Sequence, residues 1–156
     1  MTNRIVSVKT MENMNLVVYF QNGVEKKYNI RRLYNSFPQL RELELDKSLF
    51  EKVIVDVGGY GISWNDELDI DAEEIWENGI ETGSHKVSIL SKLGYDVARA
   101  RELKHMTQKE LSKITGIYQS DISKIERGIA NPSVATLKRI ADGMNMELKI
   151  EFINIK

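Results

Sequence analysis

The spacing of apolar positions changes along the chain, and the change separates two regions with different predicted folds. In the first region, an apolar run over residues 16–20 and a strand-like segment that runs back over residues 24–30 flank Asn22-Gly23. Asn-Gly between two such runs is the dipeptide best suited to a tight β-hairpin turn. Further short runs follow, so this region is predicted to be an α+β domain: a small antiparallel sheet with short helices.

From residue 87 onward, apolar residues recur at three- and four-residue steps, which is the period of amphipathic helices. Thr107 and Glu110 have the spacing of a capping box and predict a helix that starts directly after Met106. Asn131-Pro132 predicts a break before one more helix. The second region is therefore predicted to be all-α.

The helical period ends near residue 145, and the last residues follow a period of two. Apolar residues alternate there with charged ones, as in a half-buried strand: Met146, Leu148, Ile150 and Phe152 against Glu147, Lys149 and Glu151. The second region is thus expected to end in a β-strand. Because a strand needs a hydrogen-bonding partner, three partners stay open: a symmetry mate, the N-terminal sheet or another protein.

Net charge changes at the same place as the apolar spacing. The whole chain has a formal net charge of -1, yet residues 1–82 hold 9 Lys+Arg against 15 Asp+Glu, a net -6, and residues 83–156 hold 13 against 8, a net +5. A basic region is typical of a protein with a polyanionic partner. We therefore expect an acidic domain over residues 1–82 and a basic domain over residues 83–156.

Two short helices in the basic region, residues 107–114 and 119–125, lie on either side of Gly116. Leu111 and Ile114 of the first are expected to pack against isoleucines of the second, because short helices gain stability mostly from packing. Polar residues of the second helix would then face outward. This arrangement is a helix-turn-helix, in which the first helix supports a second whose outer face enters the major groove of DNA.

Residues 93–144 resemble the lambda-repressor/Cro-type (XRE) helix-turn-helix family. The chain has the family's arginine in the first helix, the TQ-x-x-L segment, the turn glycine, the S-x-I-E-x-G ending and the N-P-S start of the next helix. The resemblance implies a sequence-specific DNA-binding transcriptional regulator, a repressor. It also implies a homodimer that reads a double-stranded operator.

The resemblance assigns roles to single residues. Gln119, Ser120 and Lys124 match base-reading positions, where a glutamine can pair with adenine and a lysine with guanine. Gln108 is expected to bind a phosphate through its side chain or the N-terminal N–H groups of its helix. The full set of expected DNA-binding residues is Gln108, Tyr118, Gln119, Ser120, Ser123, Lys124 and Arg127.

Arg101 and Glu126 match family positions that form an ion pair between the first and third helices, a structural role. Two other positions depart from the family pattern. Tyr118 stands where a Ser or Thr usually caps the recognition helix, so either the cap is weak or the helix starts later. Asp121 places a carboxylate in the first turn, where it would repel phosphate if it faced DNA. We expect the operator preference to differ from that of relatives at these two residues.

Residues 4–79 resemble a small bacterial domain family of unknown function that is often found alone or fused to an XRE domain. The resemblance rests on the hairpin, the F-x-x-V-x-V run from Phe50 and the segment ISWNDELDIDAEEIWENG. Residues 54–84 contain no Lys or Arg. A solvated surface with Trp64 and Trp76 in the core explains this, and so does a surface for a basic protein partner. The partner-binding candidates are Asp66, Glu67, Asp69, Glu73, Glu74 and Trp76.

Composition narrows the remaining classes of function. The chain has no cysteine, and His85 and His105 lie twenty residues apart without ligand neighbours, so no metal or cofactor is expected. No stretch approaches the roughly 20 apolar residues that span a bilayer, and we expect a cytoplasmic protein without a membrane partner. Catalytic carboxylate pairs need a cleft, which nothing in the sequence indicates, so we do not expect an enzyme.

The way bacteria combine XRE domains with other genes leaves two regulatory functions open. In the first, the chain is the antitoxin of a type II toxin-antitoxin pair, which binds a basic toxin protein and represses its own operon. In the second, it is a stand-alone repressor whose N-terminal domain senses a ligand. The family association favours the first function.

Overall fold

The computed structural model describes residues 3–155, and these form two compact units. The N-terminal unit ends at Ser88 and the C-terminal unit begins at Ile89. Ile80–Ser84 is a strand that pairs with the N-terminal sheet. The division expected at residues 82/83 from the change in charge therefore falls inside this strand, which forms one edge of the N-terminal sheet.

The N-terminal unit contains two antiparallel sheets joined by short helices. Its strands are β1 (Ile5–Met11), β2 (Asn15–Phe20), β3 (Val24–Asn29), β4 (Ile54–Val55), β5 (Gly61–Asn65), β6 (Leu68–Asp71) and β7 (Ile80–Ser84). Its α-helices are α1 (Glu42–Leu45), α2 (Lys47–Phe50) and α3 (Ala72–Asn78), with 3-10 turns at Ile30–Leu33, Pro38–Arg41 and Val57–Gly59. One sheet has the strand order β1-β2-β3-β7, and the other has the order β4-β5-β6.

The β2–β3 hairpin turns at Asn22-Gly23, as predicted. Gly23 has a φ of 94°, a conformation that glycine adopts without a steric penalty. The Oδ1 atom of Asn22 accepts a hydrogen bond from the Val24 N–H at 3.1 Å. The register that results places Leu16 opposite Tyr28. The α+β prediction for this unit is confirmed.

The core of the N-terminal unit lies on one face of the first sheet. Alternate residues of β2 point into it, and Leu16 and Phe20 are fully buried. The Nε1 atom of Trp64 donates to the Phe50 carbonyl at 2.9 Å. Trp76 packs against Phe20 with ring centroids 5.0 Å apart in a T-shaped contact. Both tryptophans therefore contribute to the core of this unit.

The C-terminal unit is helical, as predicted: α4 (Ile89–Leu103), α5 (Gln108–Thr115), α6 (Gln119–Glu126) and α7 (Val134–Gly143). The capping box at the start of α5 is present. Thr107 Oγ1 accepts from the Glu110 N–H at 3.1 Å, and a Glu110 carboxylate oxygen accepts from the Thr107 N–H at 2.7 Å. The helices enclose a core around Leu111, Ile122 and Ile140. Within the described residues, no helix is long and apolar enough to cross a membrane.

The closing strand is the part of the C-terminal prediction that the structure does not show. Residues 146–155 follow α7 without forming a strand with any other described residue. Met146 still packs against the core of the unit, whereas Glu147 and Lys149 are exposed. The alternation is therefore present at the start of the segment, but a β-ladder also requires a neighbouring strand.

Candidate nucleic-acid interface

Gly116 forms the turn between α5 and α6. Its backbone is left-handed, with a φ of 71° and a ψ of 11°, and its N–H donates to the Ser112 carbonyl at 2.9 Å. A residue with a Cβ atom pays about 1–2 kcal/mol in this conformation, which explains the glycine. Ile117 follows at once and is buried in the same core as Ile122 of α6. The turn thus places the start of α6 against the core of the unit.

The packing between α5 and α6 differs from the prediction at one residue. Leu111 is fully buried, but Ile114 is 60% exposed. Ile114 lies on the same side of α5 as Leu111 but at the edge of the core, and its Cγ2 atom, like Cδ1 of Leu111, lies near Gly143 of α7. The support for α6 therefore comes from Leu111 and Ile117, and Ile114 was wrongly assigned to this contact.

A buried ion pair joins the first and third helices of the unit. Arg101 Nε lies 2.7 Å from Glu126 Oε1, and Arg101 Nη2 lies 3.1 Å from Glu126 Oε2. The remaining guanidinium nitrogen, Nη1, donates to the Met106 carbonyl at 2.7 Å. Glu126 is completely buried. This bidentate geometry fixes α6 relative to α4. Moving either side chain away would leave the charge of the other without its ionic partner in an apolar interior.

Gln108, the first residue of α5, belongs to the same network. Its Nε2 atom donates to Glu126 Oε2 at 2.9 Å. A glutamine amide nitrogen carries two N–H groups, and the bond to Glu126 uses one of them. The expected phosphate contact of Gln108 stays a prediction. If it forms, it must use the second N–H or the backbone at the start of α5.

The outer face of α6 carries the predicted base-reading residues. At about 100° of rotation per residue, the predicted residues on this helix fall within an arc of roughly 140°: Gln119, Ser120, Ser123, Lys124 and Arg127. Gln119, Ser120 and Lys124 are exposed, while Ser123 and Arg127 are half-buried. The face is therefore polar and carries two positive charges, which suits the edge of a base pair and its adjoining phosphates.

Tyr118 and Asp121, which depart from the family pattern, flank this face. α6 begins at Gln119 with Tyr118 at the cap position, and no side-chain hydrogen bond caps the helix. Tyr118 is 78% exposed. Asp121 lies about 60° beyond Lys124 around the helix, outside the arc of the other five residues. The weak cap is therefore present, and the Asp121 carboxylate points to the side of the polar face.

A groove of about 440 Å³ lies between the start of α6 and the start of α7. Tyr118, Asn131 and Arg139 are among its lining residues. The Arg139 guanidinium donates to the Thr115 carbonyl at 2.6 Å and so holds the last turn of α5. Neither Asn131 nor this contact of Arg139 was predicted. No local sequence pattern indicates this contact, because Arg139 and Thr115 are 24 residues apart and meet only in the folded unit.

The N-terminal unit has a second candidate surface, a groove of about 320 Å³. Apolar residues form part of its lining, and carboxylates surround them: Leu33, Phe37, Leu40 and Ile70 with Glu67, Asp69, Asp71 and Glu74. Glu74 is held in place, since one of its oxygens accepts from the Tyr28 hydroxyl at 2.7 Å and the other from the Asn78 amide at 3.0 Å. Burial and this bond raise the pKa of the Tyr28 hydroxyl above its usual range.

The structure gathers three of the six partner-binding candidates into this acidic groove: Glu67, Asp69 and Glu74. Asp66 and Glu73 are exposed and do not line it. Trp76 contacts Phe20 on one side, and the Lys26 ammonium lies 4.7 Å from its ring centroid. The chain itself therefore covers much of this ring, and Trp76 is a poor anchor for a partner.

Comparison with known protein families gives two matches. A family model described as "Helix-turn-helix" matches residues 97–149. A second, described as "Protein of unknown function (DUF2442)", matches residues 5–81. One match falls in each unit, and the two families agree with the two family resemblances found in the sequence.

Three relatives share the helical unit. The chain is 43% identical over 49 residues to the HTH-type transcriptional regulator y4dL of Sinorhizobium fredii, which covers 31% of this chain and 25% of that protein. It is 37% identical over 54 residues to y4dJ, another HTH-type transcriptional regulator of that organism, with 35% of this chain and 70% of that protein covered. It is 39% identical over 59 residues to the ImmF control region 10 kDa protein of Bacillus phage phi105, covering 38% and 66%. The chain thus spans only a quarter of y4dL.

Two solved structures are similar to this chain. One is a mutant of the restriction-modification controller protein C.Esp1396I, with a TM-score of 0.38 and 28% identity over 40% of this chain and 80% of the other. The second is the putative DNA binding protein NE0471 from Nitrosomonas europaea, with a TM-score of 0.37 and 14% identity over 88% of this chain and 83% of the other.

Proposed function

The chain belongs to the helix-turn-helix family of DNA-binding transcriptional regulators, and from this we propose that it is a sequence-specific repressor that binds its operator as a homodimer. The observation that carries the proposal is the polar outer face of α6, which the buried Arg101–Glu126 pair fixes in place. Gln119, Ser120 and Lys124 read base edges in the major groove. Two copies read half-sites about 34–36 Å apart, one turn of DNA.

Selection of binding sites from randomised duplex DNA tests this proposal. Lys124→Ala and Gln119→Ala should each relax the preference at one position of the selected half-site, since a good bidentate contact discriminates against wrong bases by about 1–3 kcal/mol. Lys52→Ala is the matched control, because it removes the same charge from an exposed site in the N-terminal unit. Identical preferences in wild type and both α6 variants would refute the assignment of these residues.

The acidic groove supports a second element of the proposal, a basic protein partner for the N-terminal unit. Its apolar lining offers contact area, and its four carboxylates attract cationic side chains. In its most specific form, the partner is a basic toxin and the chain is the antitoxin that represses their shared operon. The support is charge complementarity, together with the opposite net charges of the two halves of the chain.

Co-expression with the product of the adjacent gene tests the protein partner. Asp69→Lys with Glu67→Lys should abolish co-purification, because two lysines beside the two remaining carboxylates cancel the negative charge of the groove. Glu73→Lys with Asp66→Lys makes the same charge change at exposed residues outside the groove and should leave the complex intact. Equal loss in both double variants would exclude the groove, and healthy growth of cells that express the neighbouring gene alone would exclude a toxin.

Ligand sensing is the alternative function for the same groove. Its volume of about 320 Å³ suits a small organic cation with an apolar body. A ligand-sensing repressor should change its operator affinity when such a cation is added, without any neighbouring gene product. The groove double variant should lose that response, whereas the control double variant should keep it.

A further inference from the structure

Residues 146–155 leave the core of the C-terminal unit and carry exposed apolar side chains. Met146 packs on the core, but Ile150 is 57% exposed and Phe152 is 100% exposed. The segment follows α7 with the alternation of a half-buried strand, and it forms no ladder with the rest of the described chain. Water therefore contacts a strand-like apolar face and an open row of backbone donors and acceptors.

We propose that residues 146–154 pair with the same residues of a second copy as an antiparallel two-stranded ribbon, with the two-fold axis at Ile150. This assignment rests on the homodimer of the proposed function and adds the surface that forms it. A second copy is the partner of this segment because the charges of the segment allow it to pair with itself, in one register, over residues 146–154.

Symmetry restricts the registers of such a ribbon. In an antiparallel pair, directly opposite side chains lie on the same face of the sheet. A two-fold axis perpendicular to the sheet keeps the apolar faces of both copies on one side. With that axis, one residue of the ribbon lies directly opposite the same residue of the second copy. Each register can therefore be named by that central residue. Registers centred on Glu147, or on Phe152 and beyond, pair neither Lys149 nor Glu151 with an opposite charge, so the choices left are Leu148, Lys149, Ile150 and Glu151.

Charge excludes two of these four registers. Centring on Lys149 places two lysines opposite each other and sets Glu147 against Glu151. Centring on Glu151 places two glutamates opposite each other. Like charges directly opposite each other destabilise a ladder, whereas opposite charges stabilise it. The registers centred on Leu148 and Ile150 remain.

Length then favours Ile150. Asn145 has a positive φ of 52° at the end of the turn after α7, so the ladder cannot extend before Met146. A ladder centred on Leu148 ends at Ile150 and leaves Phe152 uncovered. A ladder centred on Ile150 runs from residue 146 to residue 154.

The Ile150 register also gives favourable pairs on both faces of the ribbon. On the polar face it sets Lys149 of each copy opposite Glu151 of the other. On the apolar face it sets Leu148 opposite Phe152, which covers the most exposed aromatic ring of the segment. Lys149 and Glu151 already lie on the same side within one copy, with Nζ and Oε2 3.0 Å apart.

Single cysteines test the register directly, because the chain contains none of its own. Ile150→Cys should form a disulfide-linked dimer under mild oxidation. Leu148→Cys and Phe152→Cys should each fail alone, since a shift of four residues separates each from its own copy by about 13 Å. This is beyond the roughly 7 Å Cα separation that a disulfide tolerates. A mixture of the Leu148→Cys and Phe152→Cys proteins should cross-link. Cross-linking of Leu148→Cys alone, or of none of the variants, would overturn the proposal.

Charge reversal gives an independent test in solution. Lys149→Glu and Glu151→Lys should each weaken the dimer about tenfold in sedimentation equilibrium, because each turns two attractive pairs into repulsive ones. The double variant with both changes should restore wild-type dimerisation. Glu147→Lys is the matched control and should change the dimer Kd less than twofold, since Glu147 faces Ile153 in this register. An equal loss in the control would favour the Leu148 register and reject this one.

Operator binding is measured separately, so that the two proposals can fail independently. If the wild-type protein binds its selected operator as a dimer while all three cysteine variants stay unlinked, the ribbon is wrong and the proposed function stands. If Ile150→Cys links and the protein selects no DNA sequence, the ribbon stands and the repressor function fails. If the wild-type protein stays monomeric and the segment is covered only when another protein is added, the segment binds that protein and the ribbon is wrong.

Discussion

The two units carry their candidate surfaces in different ways. The interface of the C-terminal unit occupies one continuous stretch, residues 108–127, in a region with a net charge of +5. The acidic groove of the N-terminal unit combines residues 33–40 with residues 67–74, which are brought together by the fold. The first surface depends on two short helices staying locked together. The second depends on the packing of a whole α+β unit. Damage to one surface should therefore leave the other intact.

The largest predicted effect comes from the buried ion pair. Arg101→Met leaves Glu126 buried without its partner and should destabilise the C-terminal unit by about 3–5 kcal/mol. Both tryptophans of the chain, Trp64 and Trp76, lie in the N-terminal unit, so tryptophan fluorescence reports that unit alone. Helicity at 222 nm should then melt early while the fluorescence transition stays unchanged. A single shared shift in both signals would show that the units do not unfold independently.

A compensating variant sharpens this result. Replacing both partners, as in Arg101→Met with Glu126→Leu, removes the isolated charge and should recover much of the lost stability. Specific DNA binding should still be impaired, because α6 then loses the bidentate contact that fixes its orientation, and Gln108 loses its acceptor. Full recovery of both stability and operator binding would mean that the pair is dispensable for positioning α6.

The same contrast explains which features the sequence could predict. The spacing of apolar residues predicted α5 and α6, and the Asn22-Gly23 dipeptide predicted the hairpin. Each of these elements depends on residues within a few positions along the chain. These local patterns could not place Ile114 or Arg139, because Ile114 of α5 lies near Gly143 of α7 and Arg139 of α7 donates to Thr115 of α5. The partner-binding candidates were chosen by charge and, for Trp76, by residue type. Neither property shows that Glu73 lies outside the acidic groove or that Lys26 covers Trp76.

The closing segment marks a different limit of sequence reading. Alternation predicted a strand over residues 146–152, and the spacing of its side chains is a local property. A strand also needs a partner, which the described chain does not supply to this segment. The polar face of α6 contrasts with this, since a helix satisfies its own backbone and needs only packing for support. A local pattern therefore predicts helices more fully than it predicts edge strands.

The start of α6 gives a prediction of intermediate size. Tyr118 has the extended backbone of a cap residue, with a φ of -58° and a ψ of 139°, but its side chain makes no capping hydrogen bond. Tyr118→Thr supplies an acceptor for the first turn and should stabilise the C-terminal unit by about 1 kcal/mol in chemical denaturation followed at 222 nm. Tyr118→Ala removes the ring without adding a cap and should not stabilise the unit. Equal gains in the two variants would attribute the effect to loss of the exposed ring.

The smallest predicted effect is a pH dependence confined to the C-terminal unit. Hydrogen bonds from the backbone N–H and the hydroxyl of Thr107 lower the pKa of Glu110 in the folded protein. The stability from this capping box is therefore complete above the ordinary pKa of a glutamate, and it is lost as the pH falls through the lowered value. Glu110→Gln should be less stable than wild type at pH 7, and this difference should shrink as the pH falls below the ordinary glutamate pKa toward pH 3, when helicity is followed during denaturation. Glu147→Gln removes the same charge outside the capping box and should track wild type at both pH values. A difference between Glu110→Gln and wild type that persists unchanged at pH 3 would show that the carboxylate charge does not stabilise the start of α5.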